Sequence, residues 1–76
     1  MKIVYSDHAR QNIAERRISK KDVEETILNP EKVIDSRKGR KIAQKVVGNL
    51  LLRVVYKETE KVYIIVTVYH TRIGRY

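Results

Sequence analysis

The sequence predicts an α+β domain in which two N-terminal helices pack on a three- to four-stranded, mostly antiparallel sheet. Three observations lead there. Capped segments with helical spacing lie between Ser6 and Leu28. An unbroken β-branched and aromatic run extends from Val62 to Tyr69. A Gly48-Asn49 turn signal separates two strand-like stretches. With 76 residues and no cysteine, the chain has room for one domain spanning 1–76. A domain of this size buries roughly 60% of its unfolded surface, and no disulfide can supplement its single core.

Each element has its own signal. Ser6 is an N-cap and Asp7 complements the helix dipole, so a first helix is expected from about Asp7 to Arg17, with Ala9 and Ile13 on its apolar stripe. Ser19 with Asp22 three residues on resembles a capping box. Val23 and Ile27 then give an i, i+4 stripe, and Asn29-Pro30 ends a second helix begun at about Lys20. Both helices are too short to stand alone and need a sheet beneath them. The expected strands are a short one at Lys32–Ser36, then Lys41–Val47, Leu50–Lys57 and Val62–Tyr69, the last a central one because both its faces are apolar. Alternation puts Leu52 and Val54 on one face of the third strand and Arg53 on the other. A two-residue turn would align Gln44 with Arg53, and a three-residue loop would align Lys45 with it; the sequence leaves both open.

Charge is distributed unevenly. Residues 1–36 balance Lys2, Arg10, Arg16, Arg17, Lys20, Lys21 and Lys32 against Asp7, Glu15, Asp22, Glu24, Glu25, Glu31 and Asp35. Residues 37–76 set Arg37, Lys38, Arg40, Lys41, Lys45, Arg53, Lys57, Lys61, Arg72 and Arg75 against only Glu58 and Glu60. The whole net charge of +8 therefore resides there. A surface of uncompensated positive potential attracts polyanions. The alternative, a charge-rich heat-adapted surface, predicts mixed signs and suits the first half better than the second.

Several chemistries are excluded or disfavoured. Without cysteine there is no thiolate nucleophile and no zinc knuckle. His8 and His70 lie on different elements without the carboxylates a divalent metal site needs, so no metal and no cofactor are expected. Nucleotide-binding glycine loops are absent. The longest apolar run, Val62–Val68, is far short of the roughly 20 residues that span a bilayer. The first residues lack a signal-type apolar stretch, and a cytoplasmic location is the expectation.

What remains suits metal-free phosphodiester chemistry on RNA, in which a 2′-hydroxyl attacks the adjacent phosphate with help from a base, an acid and fixed cations. His8 near a helix start is a candidate proton carrier. Arg53, Lys45, Arg72 and Arg75 are candidate phosphate ligands, and Tyr69 or Tyr76 can stack on a base or donate a proton. Arg40 and Lys41 add to the same basic surface. Tyr56, Tyr63 and Tyr69 suit packing more often than base stacking. His8 and Arg53 are expected to converge on one site, with the first helix crossing the sheet to bury Ala9 and Ile13.

A family resemblance points the same way. The run Ser6-Asp7-His8-Ala9-Arg10, then Arg16, Ile18-Ser19, Val23, Ile27, Asn29-Pro30, Gly39-Arg40, Leu52-Arg53-Val54-Val55-Tyr56 and Val66-Thr67-Val68-Tyr69 resembles the DUF4258 family over nearly the whole chain. That family in turn resembles RelE- and ParE-type toxins and the small metal-independent ribonucleases that include barnase and the colicin tRNases. The resemblance implies a compact sheet with N-terminal helices, RNA cleavage or a decayed form of it, and roles for His8, Arg16, Arg53 and Tyr69. Three functional readings follow. One is a toxin-type endoribonuclease held by an acidic antitoxin, the second a non-catalytic nucleic-acid-binding module, and the third an interaction domain whose basic face meets an acidic protein.

Overall fold

The computed structural model describes residues 2–74. Its elements in chain order are β1 (Lys2–Tyr5), α1 (Asp7–Glu15), α2 (Lys20–Leu28), β2 (Lys32–Asp35), β3 (Lys41–Val47), β4 (Leu50–Glu58) and β5 (Val62–Arg72). The α+β class is as expected, but the sheet has five strands in the order β1-β5-β4-β3-β2 rather than three or four. It is also mixed. The chain opens on a strand that pairs in parallel with β5, Lys2 opposite Val62 and Tyr5 opposite Ile65, so the helices follow β1 instead of leading the fold. Four residues are too few for an alternating pattern to stand out in sequence, and β1 draws its stability from burying Ile3 and Tyr5 against the core.

Local chemistry sets the helix ends. Ser6 Oγ accepts the Ala9 N–H at 3.0 Å to start α1, and Ser19 Oγ accepts the Lys21 and Asp22 N–H groups to start α2. The expected first helix is two residues too long. Arg17 takes a left-handed conformation at φ 53, and the Ile18 N–H returns to the Ile13 carbonyl at 3.0 Å. This is a Schellman-type stop with an arginine where glycine would be unstrained.

The β3–β4 turn decides the open register. Gly48, at φ 63, is the first central residue of a two-residue hairpin, and Gln44 lies opposite Arg53. Ala43, Leu52, Val54, Tyr56, Ile65 and Val68 therefore point to one face, where Ala9, Ile18, Val23 and Ile27 of the helical segment close the core. Arg53, its neighbours in alternation, and Gln44 point to the other face. Among the described residues no helix covers that second face, although Leu51, Arg53 and Gln44 on it are buried.

One side of β5 is handled differently. β1 ends at the partner of Ile65, and a bulge falls there, since Val55 pairs with Thr67 while Tyr56 pairs with Ile65. Beyond it α1 takes the place of a strand. Ser6 Oγ donates to the Val66 carbonyl at 3.1 Å, the Val68 N–H donates to Asn12 Oδ1 at 3.2 Å, and Arg16 Nη1 donates to the Val68 carbonyl at 3.3 Å. Backbone groups that would otherwise form an open sheet edge are thereby satisfied.

Candidate functional site on the uncovered sheet face

Arg53 lies at the middle of the uncovered face, on the central strand β4. Its Nη1 donates to the Tyr69 hydroxyl at 2.7 Å, and its guanidinium carbon is 5.6 Å from the centre of the Tyr69 ring. The two are direct cross-strand partners, and Gln44 completes the row from β3. Arg53 and Gln44 are each only 6% exposed, whereas Tyr69 is half-buried. Gln44 Oε1 is buried with no hydrogen-bond partner among the described residues. An amide oxygen left so carries an unmet cost of about 1–3 kcal/mol.

Around this row the face sorts by type. Lys32 continues it on β2, opposite Gln44. The next row is apolar, running Ile34, Ile42 and Val55 to Thr67. The row beyond it holds Lys57 opposite Ile64, and Lys2 projects from β1. Arg40, extended at φ −89 and ψ 159 ahead of β3, joins Lys57 on this face by alternation, and its Nε is buried without a hydrogen-bond partner among the described residues. Among the described strand residues no Asp or Glu points this way. Asp35 and Glu58 lie on the helix-side face, as Asp35 pairs with Lys41 and Glu58 follows Lys57.

The other candidates are placed elsewhere. Lys45 pairs with Leu52, itself opposite His70, on the helix side. There its Nζ donates to Glu25 Oε1 at 3.2 Å and to the Asn29 carbonyl at 3.0 Å, fastening the end of α2 to the sheet. The two-residue turn is the reason. Lys41 is also on the helix side, 4.0 Å from Glu58. Arg72 is exposed opposite Leu50, again on the helix side. Arg16 is spent on the edge of β5. His8 is exposed on α1, next to Ala9, which is fully buried in the core. Arg75 and Tyr76 lie outside the described residues.

Two side chains that matter were not singled out by sequence. In sequence Gln44 stands out only as a register alternative to Lys45. Asn12 has a visible signal, a polar residue three positions after Ala9 on the buried stripe of α1. An open concavity of about 490 Å³ at the far end of the sheet is lined by Gly39, Lys41, Glu58, Thr59 and Glu60. Its two carboxylates make it a poor home for an anion. No group of His, Asp or Glu suited to a metal ion occurs among the described residues.

Fold and site together define a small α+β protein with helices on one face of a mixed sheet and a cationic, uncovered opposite face centred on an Arg–Tyr pair. The family model described as "Domain of unknown function (DUF4258)" matches residues 5–70, and the chain belongs to that family. No curated protein and no solved structure matches it. No helix among the described residues is long and apolar enough to cross a membrane.

Proposed function

We propose that this protein binds RNA on the uncovered sheet face, with Arg53 and Tyr69 at the centre of the contact. The observation that supports the reading is the sorting of charge across the sheet. Lys2, Lys32, Arg53 and Lys57 point to this face from the strands and no carboxylate among the described strand residues does, whereas Asp35, Glu58 and the acidic residues of both helices belong to the other side. Such a face attracts phosphates, and the half-buried Tyr69 ring gives a base something to stack on. Labelled single-stranded RNA followed by anisotropy tests it. Affinity should fall steeply between about 50 and 200 mM salt, and a flat response would remove RNA as the ligand.

A second reading, metal-independent cleavage, is favoured by one contact. Because Arg53 donates to the Tyr69 oxygen, the phenol proton remains free to pass to a leaving 5′-oxygen while the 2′-oxygen bonds to phosphorus. The base that must take the 2′-hydroxyl proton has no counterpart on this face: among the described strand residues no His, Asp or Glu points there. Binding is therefore the stronger reading. Incubation with RNA in EDTA separates the two, since cleavage would yield fragments that Tyr69→Phe abolishes, and binding alone would leave the RNA intact. An antitoxin-like acidic partner would compete for the same surface, and a toxin role stands or falls with the fragments.

A further inference from the structure

We infer that the uncovered face is built for unpaired RNA held at two phosphates, with nucleobases laid on the apolar row between them. This rests on the RNA-binding reading and adds the form of the substrate. The cations on this face fall into two groups. Arg53 is in the row with Gln44 and Tyr69, and Lys57 is four residues further along β4 with Arg40 alongside. Four residues of strand put the backbone positions of the two groups roughly 13 Å apart, and Arg53 is held in its own row by Tyr69, so each group faces its own phosphate. Arg40 Nε, buried and unpartnered among the described residues, is a donor set into the second group.

The strip between the two groups decides the form of the ligand. It consists of Ile42 and Val55, both half-buried, flanked by Ile34 and Thr67. A duplex turns its sugar-phosphate strands outward and shields its bases, so it would bring charge against Ile42 and Val55 and desolvate both sides without return. A single strand can splay its bases, covering the apolar strip while its phosphates reach the cations at either end. At the Arg53 end, the Tyr69 ring offers the stacking surface. An acidic peptide would satisfy the cations but has no comparable use for the apolar strip.

The test compares oligouridine strands, from a dinucleotide to about ten nucleotides, with a duplex of matching length and with polyglutamate. Binding by fluorescence anisotropy is measured over a salt series for the full chain and for the Arg40→Ala/Lys57→Ala variant. The inference expects the longer single strands to bind about tenfold or more tightly than the duplex. The double variant should lower the log-log salt slope by about 0.7, the share of one phosphate, and leave the dinucleotide nearly unaffected. Lys57 is exposed, so Lys57→Glu alone supplies a readout should the double variant fold poorly. Equal or tighter binding of the duplex overturns this inference and leaves the RNA-binding reading standing. Failure of every nucleic acid to bind overturns that reading too, and polyglutamate binding as tightly as RNA overturns both in favour of an acidic protein partner.

Discussion

Asn12 shows how much of this fold depends on one buried polar side chain. Its Oδ1 receives the Thr67 hydroxyl at 2.6 Å and the Val68 N–H at 3.2 Å, where β5 has lost its strand neighbour. Asn12→Ala would leave both donors without a partner, and we expect a loss of about 1–3 kcal/mol, read as a drop in Tm of several degrees in thermal unfolding. Tyr5 is tied in a different way. Burial raises its phenol pKa well above 10, and its hydrogen bond to Glu24 at 2.9 Å reinforces this. Burial pushes Tyr56 in the same direction, with Glu58 adding to it. In both cases the folded state holds the proton more tightly, so stability is full below about pH 10, where the unfolded phenol is still protonated, and falls as pH rises above it. A denaturant series at alkaline pH should show this fall, and Tyr5→Phe should make it shallower. Arg53 supports the sheet as well as the site. At 6% exposure and bonded to Tyr69, its loss would disturb the packing of the sheet, so Tyr69→Phe is the better probe of function.

At the level of elements, the two helices, β3, β4 and most of β5 were legible because each carries its own local signal. Ser6 and Ser19 cap, Gly48 turns, and β-branched runs fill the strands. β1 was not legible. Its four residues are ordinary in isolation and become a strand only through parallel pairing with β5 about sixty positions away, an interaction that local periodicity does not record. The same limit hid the site. Alternation along β4 separated Arg53 from the core face, but which residue of β3 stood beside it depended on a turn of one length or another. The end of α1 offers an element-level check. Arg17 occupies the left-handed position of the stop at φ 53, a conformation that costs a side-chain-bearing residue about 1 kcal/mol, so Arg17→Gly should stabilise the protein by roughly that amount in chemical denaturation. A loss of stability would mean that the arginine side chain makes compensating contacts.

For the whole molecule, the division that matters is not between the halves of the chain but between the faces of the sheet. Sequence alone assigns the excess charge to residues 37–76. Folding then sends Lys41, Lys45 and Arg72 to the helix side, where Lys41 and Lys45 meet Glu58 and Glu25, and brings Lys2 and Lys32 from the first half onto the uncovered face. Neighbours in sequence thus become opposites in effect: Arg40→Glu should weaken RNA binding, and Lys41→Glu, one residue on, should change it much less. The most direct measurement reverses charge by face. Affinity for single-stranded RNA at low salt is compared between Lys32→Glu/Lys57→Glu, which alters two exposed positions on the uncovered face, and Lys20→Glu/Lys21→Glu, which makes the same change in net charge at two exposed positions on α2. The face account predicts that the first pair lowers affinity about tenfold or more and flattens the salt slope, while the second has a small effect. Equal losses from the two pairs would contradict it, because only net charge, and not the face that carries it, would then govern binding.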